Sequence, residues 1–329
     1  MFEGIEEVVV KAGIELDGDA LRVEPIATLD HSTVARVRLS ATRADAPPSL
    51  IYKHAAADSG GISLARREVR FYREIADLLP AGLVPRYFVA DESDQGATLL
   101  LEDLSISGRV GTAPPSRTEA ESMVTTLARL HGAGAGMPTL PAIWSERVDT
   151  DFTATAPGRL SMAGPLLELF LAEHGADLDA ADVTILQTIG NRADVLAQLA
   201  DRPATILHGD AHYANAVHGE HGATLIDFGS VYLGPGEFDL AHAVAMNLPR
   251  ATRLEWETSL IDGYRRALDH TVGAPAHDVA TNRYRLGVLN AVVVPVTHWI
   301  GGVPPSVWRP LLDNALGAAR DHDAVSLLT

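Results

Sequence analysis

The chain of 329 residues, 47% hydrophobic and 21% charged, has the composition of an ordinary soluble globular protein and is long enough for two lobes and a sizeable core. Its formal net charge of −17 argues against a nucleic-acid partner, because a phosphate backbone demands a basic surface; it reads as serving solubility, with long-range attraction of a cationic acceptor as the alternative. Cysteine is absent, which excludes disulfides, thiolate zinc sites and cysteine nucleophiles and suits a reducing cytoplasm.

Met1 to Glu7 is acidic and lacks a long apolar core, so no secretory signal is expected, and residues 1 to 24 read as a short helix and a loop. Thr28 to Leu39 reads as two strands around Leu29-Asp30-His31-Ser32-Thr33, and Ser49 to His54 as a strand carrying Lys53 near its end. The Asp58-Ser59-Gly60-Gly61 loop follows. A helix is then expected from Ser63, as its N-cap, to Leu79, stopped by Pro80-Ala81-Gly82. At 100° per residue Leu64, Phe71, Ile75, Leu78 and Leu79 form its apolar stripe, and Glu68 falls inside that stripe. A carboxylate facing a core needs a partner, and Lys53 is the evident one. The alternative is an edge glutamate whose head group reaches water.

Val84 to Ala90 and Ala97 to Leu101 read as two further strands around an acidic turn, running into Leu99-Leu100-Leu101-Glu102-Asp103-Leu104. The Gly/Pro/Ser-rich stretch from Ser105 to Pro115 marks a lobe boundary, dividing residues 1–104 from 105–329. Ser116-Arg117-Thr118-Glu119 is a capping box, and Ala120, Met123, Val124, Leu127, Leu130 and His131 recur after it at helical spacing. His131 lies in that apolar stripe, where a core histidine with its partners satisfied is the better reading than a base. Helices are expected over Ala163 to His174 and Ala181 to Leu199, with an irregular approach around Asp149-Thr150-Asp151. The remainder from Trp256 is mostly amphipathic helix, including Leu254 to Leu268 and Arg309 to Arg320. Leu286 to Ile300, the most apolar stretch, is interrupted by Asn290, Pro295 and His298; it is too short to span a bilayer and reads as buried helix and loop, so no membrane partner is expected.

The chemistry concentrates in Leu207-His208-Gly209-Asp210-Ala211-His212-Tyr213-Ala214-Asn215 and in Leu225-Ile226-Asp227-Phe228-Gly229. A short hairpin, turning at Gly219 to Gly222, separates the two. Asp210 can accept a proton from an attacking hydroxyl, while Asn215 and Asp227 offer hard oxygen ligands to a Mg²⁺ that bridges nucleotide phosphates.

This ordered pair of motifs resembles the catalytic loop and Asp-Phe-Gly of the protein-kinase-like superfamily. The His-Gly-Asp-x-His-x-x-Asn form, with Gly209 before the base where protein kinases carry arginine, resembles the aminoglycoside phosphotransferase branch and its choline-kinase-like and ecdysteroid-kinase-like relatives. The resemblance extends from about Thr28 through the C-terminal helices. It implies an α+β, bilobal protein-kinase-like fold with a small antiparallel-sheet N-lobe and a larger, mostly helical C-lobe. It implies transfer of the γ-phosphate of ATP to a hydroxyl of a small molecule, with Asp210 catalytic, Asn215 and Asp227 on Mg²⁺, Lys53 on the α- and β-phosphates, and Glu68 orienting Lys53. The Gly-x-Gly-x-x-Gly loop of protein kinases is missing; Ser32, Thr33 and their N–H groups would cradle phosphate oxygens instead, or the segment is an ordinary turn. Glu102 and Leu104 correspond to the hinge whose main chain pairs with adenine. Asp239 is expected to cap its helix or brace the catalytic loop. Glu237 stays ambiguous, and His298, Trp299 and Trp308 are core or acceptor-lining residues. The acceptor, the choice between ATP and GTP, and the oligomeric state are not legible.

Two rival readings remain. His208, Asp210 and His212 could ligate a metal in a hydrolase, although that leaves Asn215, Lys53 and Glu68 unused. A catalytically dead, nucleotide-binding interaction protein is the other, kept open only by the missing glycine loop.

Overall fold

A computed structural model of the protein describes residues 4–15, 21–29, 32–40, 47–137, 154–201, 205–220, 222–272 and 277–329. The Asp30-His31 turn and the Asp149-Thr150-Asp151 segment lie outside the described residues. The chain divides into two compact units, Met1–Val110 with Val217–Val231, and Gly111–Ala216 with Tyr232–Thr329.

The first unit is built on a five-stranded antiparallel sheet of β1 (Leu21–Leu29), β2 (Ser32–Leu39), β3 (Ser49–Ala56), β4 (Tyr87–Ser93) and β5 (Gly96–Glu102), in the order β1-β2-β3-β5-β4. β1 begins at Leu21 rather than Thr28. Pro25 is accommodated because β1 is an edge strand whose pairing with β2 shifts register between Pro25 and Ala27. Helix α1 (Ile5–Lys11) lays Ile5 and Val9 on one face of the sheet, against Val37, Leu50, Tyr52 and Leu100. Its buried side chains alternate with half-buried ones along β2 and β3, as a sheet with two different faces requires.

Helix α2 (Ile62–Glu74) is shorter than expected, and Gly61 is its N-cap, with no side-chain capping bond. Ser63 is therefore not the cap. The backbone leaves helical geometry at Ile75 (φ −123°, ψ −40°) and continues as a 3₁₀ turn over Ala76–Leu78. A stripe projected at 100° through Leu79 thus fails at both ends: Phe71, Ile75 and Leu79 are buried, but Leu64 and Leu78 are 48% and 51% exposed. A three-stranded sheet, β6 (Gly108–Val110), β8 (Ala216–Gly219) and β9 (Gly222–Leu225) in the order β6-β8-β9, completes this unit, β8 and β9 forming the expected hairpin.

The second unit is mainly helical. The capping box at Ser116 and Glu119 opens α3 (Arg117–Ala135), whose apolar residues and His131 are buried. Helices α4 (Ala156–Leu160) and α5 (Ala163–His174) follow. The single helix expected over Ala181 to Leu199 is two, α6 (Ala180–Asn191) and α7 (Ala193–Ala200), because Arg192 leaves helical geometry (φ −122°, ψ 25°) while its Nε donates to the Leu328 carbonyl 2.9 Å away. The short strand β7 (Thr205–Leu207) pairs antiparallel with β10 (Tyr232–Gly234). Helix α8 (Glu237–Ala241) runs into a π-turn, His242–Met246, before α9 (Arg250–Val272), α10 (His277–Ile300) and α11 (Pro305–Asp321). The expected loop within Leu286 to Ile300 does not occur. α10 passes through Asn290, Pro295 and His298, and burial of Val288, Leu289, Val292 and Val296 overrides the amide hydrogen bond lost at the proline. No described helix is long and apolar enough to cross a membrane.

Candidate active site

In the first unit Lys53 projects from β3 opposite the sheet face that packs on α1. Its Nζ lies 2.9 Å and 2.6 Å from the two oxygens of Glu68, and 3.2 Å from Asp227 Oδ1. Glu68 is buried, with only 4% of its side chain exposed, whereas the Asp227 side chain is 55% exposed. Burial opposes the charge on Lys53, but the carboxylates of Glu68 and Asp227 outweigh it and hold the ammonium above its ordinary range. The Phe228 N–H also donates to Glu68.

Asp227 is in the left-handed region (φ 68°), a conformation that aspartate tolerates better than most side chains. Phe228 fixes it there. Its ring is fully buried and stacks on Phe71 of α2 at 3.9 Å between centroids and 6° between planes, with Tyr72 edge-on at 6.3 Å. The apolar stripe of α2 thus positions a carboxylate through the aromatic residue after it.

The hinge residues belong to the same unit. The Glu102 N–H donates to the Arg86 carbonyl at 2.8 Å, and Glu102 Oε2 accepts from the Arg86 N–H at 3.2 Å. Leu104 opens a 3₁₀ turn over Leu104–Ile106. Ser32 begins β2 and pairs with Leu29.

In the second unit Asp210 leaves Gly209, itself at φ 81°, and is bonded to Asn215. Asn215 Nδ2 donates to the Asp210 carbonyl at 2.9 Å and to Asp210 Oδ2 at 3.1 Å. That orientation leaves the Asn215 amide oxygen, a hard donor for a divalent cation, outside the bond. Two histidines flank the carboxylate: His212 Nε2 is 3.5 Å from Oδ2 and His242 Nε2 is 3.5 Å from Oδ1. Burial raises the Asp210 carboxyl, but His212, His242 and His208 more than reverse that and hold it below the carboxylate range. His242, fully buried, is itself lowered by desolvation to about 4. Sequence reasoning missed His242, because only the fold brings it to Asp210.

Asp239 braces this loop. Its Oδ2 accepts from the His208 N–H at 2.6 Å and its Oδ1 from the Gly209 N–H at 3.0 Å. His131 Nε2 donates to Oδ2 at 3.1 Å, and the Tyr264 hydroxyl donates to His131 Nδ1 at 2.8 Å. His131 is accordingly a partnered core histidine, and Asp239 lies inside α8 rather than capping it. His208 is fully buried, and its Nδ1 accepts from the Asp210 N–H at 3.3 Å. It supports the loop. Among the described residues no three His, Asp or Glu side chains gather as a metal-binding group, so the hydrolase reading finds no support. Trp308, 2% exposed, packs at 5.6 Å from Phe170, a core role. Glu237 is buried with Arg283 at 3.9 Å, and burial raises its carboxyl.

Residues 36–279 match the phosphotransferase enzyme family (APH). No curated protein matches the chain. Among solved structures it is similar to choline kinase from Cryptosporidium parvum Iowa II (TM-score 0.62, 11% identity, 98% of this chain and 94% of that one). It is also similar to a choline/ethanolamine kinase family protein from Mesorhizobium loti (TM-score 0.61, 14% identity, 98% of each chain). The streptomycin–ATP complex of APH(2")-IIa is another (TM-score 0.57, 15% identity, 95% of each chain). At these identities the similarity is one of fold, and the fold is the α+β kinase-like one.

Proposed function

The chain belongs to the phosphotransferase enzyme family, and from that premise we propose that it transfers the γ-phosphate of ATP to a hydroxyl of a small molecule. The observation that carries this reading is Lys53 held as a cation against buried Glu68, with the exposed carboxylate of Asp227 beside it. A strand lysine anchored in that way is a fixed positive charge for phosphate oxygens.

In this reading Lys53 grips the α- and β-phosphates and Glu68 keeps it in place. Asp227 and Asn215 are the residues that would hold Mg²⁺, and their carboxylate and amide oxygens are the donors that ion prefers. When bound, the ion supplies charge neutralisation on the phosphates. Ser32 and its N–H contribute to the phosphate cradle, and the main chain at Glu102 and Leu104 receives the base. Asp210 Oδ1, the oxygen not bonded to Asn215, accepts or orients the proton of the acceptor hydroxyl. A carboxylate held below its ordinary pKa is a weak base, so its contribution is chiefly alignment of the nucleophile. A phosphoryl transfer with a loose transition state asks for little more.

The acceptor is a hydroxylated small molecule. The neighbours' own ligands, streptomycin for one and amicoumacin for another, and the choline kinase named above, mark the range. With no cysteine in the sequence, a reducing cytoplasm is the compartment we propose. Thermal unfolding with MgATP, set against Zn²⁺ alone, tests the reading: MgATP should raise Tm in proportion to RT ln(1 + [L]/Kd). A rise with Zn²⁺ alone and none with MgATP would contradict it.

A further inference from the structure

The sheet face that carries Lys53 changes character along its length. Antiparallel partners share a face, and alternate residues of a strand return to it. The pairs Val34↔Lys53, Arg36↔Ile51 and Ile51↔Leu101 therefore place Val34, Arg36, Ser49, Ile51, Lys53 and Leu101 together on it. Lys53 stands at one end. Four residues away along β3, about 13 Å at strand spacing, is Ser49. Val34 and Ile51, apolar and only half-buried, lie between.

At the Ser49 end a carboxylate is fully committed. Asp103, with 1% of its side chain exposed, accepts from Arg36 Nε at 2.6 Å and from Ser49 Oγ at 2.6 Å. It also accepts from the Ser105 N–H at 3.1 Å and Ser105 Oγ at 2.6 Å, and Arg36 Nη2 donates to Ser105 Oγ at 2.9 Å. One side chain thus ties β2, β3 and the turn after β5 to each other. The Leu104 carbonyl in that turn accepts from the Ser107 N–H at 3.1 Å, but the Leu104 N–H has no hydrogen-bond partner among the described residues. A half-buried N–H that the turn leaves unbonded is available to an acceptor from outside the chain.

We propose that Asp103 is a positioning residue for the nucleotide base: through Arg36, Ser49 and Ser105 it holds the Leu104 N–H in place for the edge of a purine, at the end of the face opposite Lys53. The inference rests on the nucleotide reading above and deepens it, dividing that face into a phosphate end and a base end joined by an apolar stretch. The four donors around Asp103 outweigh the effect of burial and keep it ionised, and an amide could not replace it, since its NH₂ would oppose either Arg36 Nε or the Ser105 N–H.

The test separates base from phosphate. Calorimetric titration of the full chain with MgATP and with magnesium tripolyphosphate, which lacks a base, is run on wild type, Asp103→Asn and Ser105→Ala. The second substitution alters an exposed side chain and leaves the fold intact. We expect the MgATP Kd to rise about tenfold in Asp103→Asn and about threefold in Ser105→Ala, on the scale of hydrogen bonds to a charged group, with tripolyphosphate affinity unchanged in both. Parallel loss for both ligands, or no loss for either, overturns the proposal while the kinase reading stands. Wild-type protein that does not bind MgATP removes that reading, and the proposal with it.

Discussion

Asp210 owes its readiness to its neighbours. Asn215 fixes Oδ2, and Asp239 fixes the two residues before it through their N–H groups, so the carboxylate is oriented before any acceptor arrives. We expect Asp210→Asn to lower kcat at least about 10²-fold while sparing ATP affinity, the scale of a misaligned nucleophile; steady-state kinetics beside nucleotide titration checks both halves. The Lys53–Glu68 pairing was legible in the sequence as a carboxylate set in an apolar stripe with one lysine to answer it, while Asp210 and Asn215 stood out through the resemblance of their motif. His242 was not. It sits where α8 gives way to the π-turn, and only the fold brings its ring to Asp210. Asp103 was visible as a letter but not as a role, since its three partners come from β2, β3 and the turn after β5, which only strand register brings together.

At the scale of elements, the Phe71–Phe228 stack couples α2 to the segment bearing Asp227. Phe228→Ala removes a fully buried ring and should cost about 3–5 kcal/mol of stability. It should also weaken MgATP binding, since Asp227 loses the anchor of its left-handed backbone. Denaturant unfolding and calorimetry give the two numbers, and a variant that unfolds earlier yet binds MgATP normally would break the link. The crossing of α8 and α10 is as tight: a Cβ at Gly287 would meet the Glu237 carbonyl at 2.3 Å, and backbone cannot step aside as a side chain can. Gly287→Ala should destabilise by about 1–3 kcal/mol, measured by thermal unfolding. The elements misjudged from sequence were those where tertiary burial overruled a local signal. Pro295 did not break α10 because apolar neighbours on every side hold it. α6 and α7 separated at Arg192, just after Gly190-Asn191, a break that the apolar periodicity ran across.

For the molecule as a whole, the fold class was legible because two short motifs identify it even where solved neighbours share only 11% to 15% identity. The substrate was not, because nothing in the described acceptor-side residues singles out one chemistry. Stability against pH carries a signature of the buried site. His242 titrates near 4 in the folded chain against an ordinary 6.5, so the unfolded chain takes up the proton first. The stability it contributes is intact above pH 6.5 and drains away as pH falls towards 4. We expect the Tm of wild type to fall across that window more steeply than the Tm of His242→Gln; equal slopes would show that His242 is not held neutral.

The central claim is phosphoryl transfer from ATP to a hydroxyl aligned by Asp210, and ADP release tests it most directly. Wild type and Asp210→Asn are each supplied with MgATP and a panel of hydroxylated metabolites spanning amino sugars, aminoglycosides and choline-like alcohols. We expect at least one compound to raise ADP production by wild type well above the rate with ATP alone, and the variant to bind MgATP equally yet stay near background with that compound. Stimulated turnover that survives in Asp210→Asn would contradict the account.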